Sequence, residues 1–383
     1  MISSNIKFQT FKKAKIIRKV KKDLKSLLKE NSQVIRSLKK SYRNSYNLKK
    51  ISKLRKNLDK KIIGIGGSIL GSKAIYDFLS EYSKKTFYFV DNLKSRYSFK
   101  KKNYLNLIIS KSGNTLETIT NTNVLVSNQD KNIFITENKQ SYLFLLAHRL
   151  KSEIVHHNNF IGGRYSVLSE AGMLPAELMG FDPSKFRQLN NLVKDKRFIN
   201  SLISNVSSII SYSKNKKFNS IIINYDPKLK SLLEWYKQLV SESLGKKAKG
   251  ILPIISNMPK DNHSAMQLYL DGFKKNFFTF FFTKDNQSTK INNKKLLKSH
   301  NFLKNKTINQ IMYNQKLATE NVFLKKNIPF RTFELRKRDE KTLGELFCFF
   351  ILETILIGKS LNLNPYDQPA VELIKKETKN LLI

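Results

Sequence analysis

The sequence predicts an α/β protein built from two units in tandem, each a parallel sheet flanked by helices. Two observations carry this expectation. From Ile62 onward, short β-rich apolar runs alternate with segments whose apolar residues recur at helical spacing, the pattern that parallel strands joined by helices require. The same texture then returns after a polar, mostly helical stretch around Lys194–Asn200. At 383 residues the chain also exceeds what a single core usually holds.

Each element follows from its residues. Residues 1–58 are rich in Lys, Ser and Leu and contain neither Gly nor Pro. Stretches such as DLKSLLKENSQVIRSLKK repeat apolar residues at helical spacing, so a basic, helical N-terminal segment is expected. The first unit is assigned to 59–200, with strands IIGIGG, TFYFV (86–90), YLNLIIS (104–110) and NIFIT (132–136). Between them ILGSKAIYDFLSEYS and TLETITNTNVLVS read as helices. The second unit is assigned to 201–358, with candidate strands SIIINY (220–225), KGILPII (249–255) and NFFTFFF (276–282). A C-terminal helix is expected in 359–383.

Charge and composition exclude several function classes. Lys and Arg number 71 against 29 Asp and Glu, a formal charge of +42. Such a surface attracts any polyanion. The lysines are nevertheless scattered along the chain, with no zinc-ligand spacing, RNP-like strand or Gly-Arg repeat, so no specific nucleic-acid partner is expected. No apolar run approaches the ~18 residues of a membrane span, and the N-terminus lacks the apolar core of a signal peptide. A cytoplasmic protein is expected, with no membrane partner. The single cysteine, Cys348, lies in the apolar run ELFCFFILETILI and reads as a small core residue.

Two loops carry candidate chemistry. In IIGIGGSILGSK, Ile62–Lys73, a strand runs into a glycine turn and then a helix. Counting from Gly64, the sixth place is Ile69, which breaks the dinucleotide fingerprint. Ser72 separates Gly71 from Lys73, which breaks the P-loop. The second loop, Ser110-Lys111-Ser112-Gly113-Asn114-Thr115, follows a strand and opens a helix at Leu116. Its hydroxyls and successive N–H groups at a helix N-terminus suit an anion, and so does its position beyond a strand's carboxyl end. Two such loops on one sheet favour a monophosphate cradle.

Six ordered segments carry a resemblance: GIGGSILGS, SKSGNTLET, IGGRYSVLSEAGMLPAE, SESLGK, NHSAMQLYLDG and NPYDQPAVELIK. In this order they resemble the glucose-6-phosphate isomerase family of sugar isomerases, from Ile62 to the C-terminal helix. The resemblance implies two flavodoxin-like sugar-isomerase (SIS) domains. It also implies reversible interconversion of glucose 6-phosphate and fructose 6-phosphate through a cis-enediol, with no metal and no cofactor. Glu242 matches the family's base, and Arg164 matches the Arg that stabilises the developing enediolate. His263 and Lys375 match the residues of the ring-opening step, and Gln368 a substrate-contacting Gln. Gly67, Ser68, Ser110, Lys111, Ser112, Thr115 and Gly163 match phosphate- and sugar-binding positions. The C-terminal helix is thereby expected to complete the site.

Three departures from the family pattern stand out: Ser72 for a common Pro, Ala370 for the usual Gly of QPGVE, and Glu170 in a small-residue stretch. None removes a reacting group. In the family the ring-opening His reaches the site from the neighbouring subunit, so a homodimer with shared active sites is expected. Two other readings stay open at this stage. One is a broader isomerase that also accepts mannose 6-phosphate. The other is a sugar-phosphate-binding regulator on the same scaffold, which would have no need of a C2 base.

Overall fold

The computed structural model describes every residue except 1, 13–14, 48, 52–57, 84, 100–102 and 128. Part of the N-terminal segment expected to be helical thus lies outside the described residues. The first sheet contains β2 (Asp59–Ile63), β3 (Phe87–Val90), β4 (Tyr104–Ile109), β5 (Lys131–Thr136) and β6 (Glu153–His156). Their order is β3-β2-β4-β5-β6, and every pairing is parallel. Counted within the unit this is 2-1-3-4-5, the flavodoxin-like winding. β4 is buried along its whole length, as a central parallel strand covered on both faces must be.

The second sheet repeats the winding. It holds β7 (Asn219–Asn224), β8 (Leu252–Asn257), β9 (Asn276–Thr283) and β10 (Phe330–Leu335), with β1 (Ile6–Gln9) added at its edge. The order is β1-β10-β9-β7-β8. The four later strands are parallel, and β1 runs antiparallel to β10 with Ile6 opposite Leu335. The long apolar run read as ELFCFFILETILI is a buried helix, Glu340–Ser360, which packs against the helix Lys230–Leu244. Cys348 sits inside it, fully buried, and burial pushes its thiol up to about 12.

The N-terminal segment differs from the expectation. The helices Arg18–Lys29 and Gln33–Ser37 are present, but Ile6–Gln9 is a strand belonging to the second sheet. Four residues of alternating burial are too short to stand out from lysine-rich surroundings. The C-terminal helix spans Pro369–Leu381 and has no buried residue in this chain.

Candidate active site

The site forms where the loop after β2, the loop after β6 and the end of the helix Lys230–Leu244 converge. The turn Gly66–Ser68 packs directly on Gly163 and Arg164. A Cβ on Gly67 would lie 2.2 Å from the Gly163 carbonyl carbon and 2.4 Å from the Arg164 nitrogen. Glycine is therefore required so that two backbones can meet. Trp235, fully buried on the same helix, donates its indole N–H to the Arg164 carbonyl at 3.1 Å and fixes the loop from behind.

Arg164 is 3% exposed and its guanidinium is saturated. Nε donates to Ser243 Oγ at 2.8 Å, and Nη2 to the carbonyls of Pro365 and Asp367 at 2.8 and 3.0 Å. Nη1 donates to Gln368 Oε1 at 2.9 Å and to Glu242 Oε2 at 3.2 Å. Two stretches far apart in sequence, 242–243 and 365–368, are thus held on one rigid fork of donors. Glu242 keeps a quarter of its side chain exposed, so the carboxylate is both anchored and reachable. Tyr165 adds a second tie, with its hydroxyl 2.8 Å from Ser243 Oγ and 2.9 Å from the Pro365 carbonyl. Burial raises the Tyr165 phenol above its ordinary value.

The second loop has the form of an anion cradle. Gly113 adopts a left-handed φ of +66°, and a Cβ there would collide with Ser141 Oγ at 2.0 Å. That turn leads into the helix Leu116–Leu125, with Thr115 at its N-cap. The first amides of such a helix have no acceptor within it. Ser110 Oγ lies 2.9 Å from Thr115 Oγ1, and Ser112 Oγ accepts from the Asn114 amide at 3.3 Å. Lys111 Nζ lies 3.3 Å from Glu137 and is about one-third exposed. A cavity of about 520 Å³ lined by Lys111, Gly162, Tyr165 and Tyr366 adjoins this loop.

All but two of the residues expected from the sequence fall into two groups. Gly67, Gly163, Arg164, Glu242 and Gln368 are joined by contact, and Ser68 lies in the same turn as Gly67. Ser110, Lys111, Ser112 and Thr115 make the neighbouring cradle. His263 and Lys375 make no hydrogen bond to Glu242 or Arg164. His263 is exposed at the end of a short turn, Lys260–His263, following β8. Lys375 pairs with Glu372 at 2.7 Å on the exposed C-terminal helix. What closes on Arg164 is the loop 365–368, ahead of that helix, and not the helix itself.

Sequence reasoning missed Gln238. Its Nε2 donates to Glu242 Oε1 at 2.7 Å, and its own Oε1 is buried with no partner among the described residues. The signal was present: Gln238 precedes Glu242 by four residues, one turn of helix on the same face. Ser243, adjacent to Glu242, was missed as well.

The phosphoglucose isomerase family model matches residues 11–382. A glucose-6-phosphate isomerase of Methanocaldococcus jannaschii is 33% identical over 357 residues, covering 86% of this chain and 86% of the relative. Among solved structures, a hypothetical protein from Thermus thermophilus aligns with a TM-score of 0.82 at 23% identity, covering 95% of this chain and 94% of that one. A glucose-6-phosphate isomerase from Chlamydia trachomatis aligns at 0.67 and 18% identity, covering 94% and 77%. These two structural likenesses carry the fold.

Proposed function

The chain belongs to the phosphoglucose isomerase family and interconverts glucose 6-phosphate and fructose 6-phosphate, a step of glycolysis and gluconeogenesis, and we propose that Glu242 is its base. The observation that carries the assignment is the Arg164 fork, which holds Glu242 beside Gln368, while the neighbouring Tyr165 and Gly162 line a cavity with Lys111 of the cradle. An aldose–ketose isomerase must take a proton from C2 and return it at C1, so one carboxylate has to serve both carbons. Glu242 is suited to that task, since its oxygens are oriented by separate donors while the group stays accessible. A base so positioned contributes about 10²–10⁴ in rate.

Arg164 supplies the fixed positive charge against which the enediolate oxygens develop. Its remaining donors are committed to the Ser243 hydroxyl and to two backbone carbonyls, so it does not reorganise during the reaction. Ser110, Ser112, Thr115 and Lys111 bind the 6-phosphate, with Gly67, Ser68 and Gly163 forming the adjoining wall. Gln368 contacts the sugar. His263 and Lys375 act in ring opening, which requires each to approach the sugar from outside the Arg164 cluster.

For His263 that approach comes from a second copy of the chain, in a homodimer with shared sites. The apolar surface around His263 supports this reading. Leu252 and Ile254 on the edge strand β8, with Leu268 and Phe273 just beyond His263, are all large, apolar and exposed. No helix among the described residues is long and apolar enough to cross a membrane.

The test is isotopic. Fructose 6-phosphate added to the protein in D₂O with a chelator is expected to give glucose 6-phosphate labelled at C2, followed by NMR. Full activity in Glu242→Gln, or loss of activity with chelator, would overturn the assignment.

A further inference from the structure

Two cavities larger than the one beside the cradle, of about 640 and 600 Å³, open at the carboxyl end of the second sheet. Their position is informative. β9 holds in the second sheet the place that β4 holds in the first, next to the unit's opening strand. The cradle Ser110–Thr115 follows β4 directly, and the residues following β9 and β10 line these cavities. Ligands of parallel sheets bind at this edge.

We propose that the 600 Å³ cavity is a second anion site, one that binds a small molecule carrying two or more phosphates. It lies in the other unit from the Arg164 cluster, and the isomerase reading does not require it.

Charge separates the two cavities. The larger is lined by Lys284, Arg336, Lys337 and Arg338, but also by Glu81, Asp285, Asp339 and Glu340, which balance them. The smaller is lined by Lys7, Lys284, Lys306 and Arg336 against one carboxylate, Glu334. That carboxylate is already taken. The buried Lys316 pairs with it from below, and Lys7 Nζ lies 3.3 Å away. Among the described residues Lys284, Lys306 and Arg336 have no carboxylate partner, and all three are exposed. Lys284 and Arg336 line both cavities, so the difference lies in the acidic residues: four carboxylates line the larger and one lines the smaller.

The cations also come from separate parts of the chain. Lys284 follows β9, Arg336 follows β10, Lys306 precedes the helix Ile308–Lys325, and Lys7 lies on β1. Four cations around a cavity of this volume leave room and charge for more than one phosphate group. Tyr313, packed against Phe282 with ring centroids 5.0 Å apart, supplies an aromatic wall.

The test is calorimetric titration of the full chain with inorganic pyrophosphate and, separately, with ATP, in ~0.15 M salt. Saturating fructose 6-phosphate keeps the first site occupied, and turnover read in the same sample reports the isomerase independently. One further binding site is expected. Lys284→Glu combined with Lys306→Glu should weaken it by about tenfold or more, with isomerase activity in the absence of polyphosphate unchanged. The control pair Lys21→Glu with Lys25→Glu, exposed on another face, should leave it within about twofold. ATP binding more tightly than pyrophosphate, with the difference lost in Tyr313→Leu, would identify a nucleotide; equal affinities would identify the polyphosphate group alone. Absence of binding by both probes, or equal weakening by the control pair, would overturn the proposal.

Discussion

Gln238 donates to one oxygen of Glu242 at 2.7 Å from a single helical turn away, while Arg164 reaches the other oxygen at 3.2 Å. The two donors divide the work of holding the carboxylate. Gln238→Leu keeps most of the volume and removes one of them. A hydrogen bond to a charged group is worth about 1.5–3 kcal/mol, so kcat should fall about 10- to 100-fold while the melting temperature changes little. Glu242→Gln should cost about 10²–10⁴ in kcat. Steady-state kinetics beside thermal melts check both. An unchanged kcat in Gln238→Leu would mean that Arg164 alone sets the carboxylate.

Arg164→Lys tests whether geometry matters beyond charge. Lysine keeps the cation but cannot donate at once to Ser243, Gln368, Glu242 and the carbonyls of Pro365 and Asp367. Activity should fall by about 10² or more. Amide hydrogen exchange across 365–368 should speed up, since Arg164 supplies three of the bonds that hold that loop, beside those from Tyr165 and Lys246. Fast exchange with activity retained would separate the loop from catalysis.

How legible all this was in the sequence depended on whether a residue works through its neighbours in the chain or across it. β2 shares only Ile62 and Ile63 with the expected IIGIGG, since it starts at Asp59 and includes the buried Lys60 and Lys61. The strands β3 to β5 and β7 to β9 were readable, because each is a short, largely apolar run bounded by turn residues. β10 was not, since RTFEL carries Arg331 and Glu334 inside a buried strand. Their partners, Glu353 and Lys316, lie on distant helices that no local pattern announces. The cluster of Arg164 with Glu242 was legible through motif resemblance, whereas the committed bonds from Arg164 to the 365–368 loop were visible only in three dimensions.

The Arg331–Glu353 pair also anchors the helix that carries Glu242. Both residues are fully buried, and Glu353 Oε2 accepts from Tyr236 on the helix Lys230–Leu244 at 3.0 Å. Arg331 adds bonds to Thr279 Oγ1 at 2.9 Å and Asn205 Oδ1 at 2.8 Å. Removing one partner leaves a buried charge unpaired, at a cost of about 3–5 kcal/mol. Glu353→Leu should therefore destabilise the fold by that order in denaturant titrations. Adding Arg331→Met should recover much of the loss. A double variant as unstable as the single would show that packing, and not the stranded charge, sets the cost.

His157 gives the fold a defined response to acid. It is buried at the end of β6, its Nδ1 donates to the Asn158 carbonyl at 3.0 Å, and burial lowers its pKa to about 4. Lys111 opposes its protonation and Glu137 favours it. In the unfolded chain the ring titrates near 6.5. Between these values the unfolded state binds the extra proton, so stability is full above about pH 6.5 and is lost as pH falls toward 4. The loss from this group is on the order of 3 kcal/mol when complete. His157→Asn should flatten the slope of stability against pH in that window, as read from urea titrations at about pH 7 and 4.5. An unaltered slope would assign the acid sensitivity elsewhere.

The proposed sharing of sites makes a quantitative prediction for mixed dimers. Suppose Glu242→Gln and His263→Ala subunits, each nearly inactive alone, are mixed equally and allowed to exchange. Random pairing makes about half of the dimers mixed. In each mixed dimer one site combines Glu242 of one subunit with His263 of the other and is intact, while the second site carries both defects. Activity should therefore recover to about a quarter of that of the unmodified protein. If each subunit used its own His263, every site in the mixture would carry one defect and nothing would recover. Mass spectrometry of differently labelled subunits establishes exchange independently, so baseline activity in a mixture with proven mixed dimers would rule out sharing. The exposed location of His263, without a bond to the Arg164 cluster of its own chain, favours recovery.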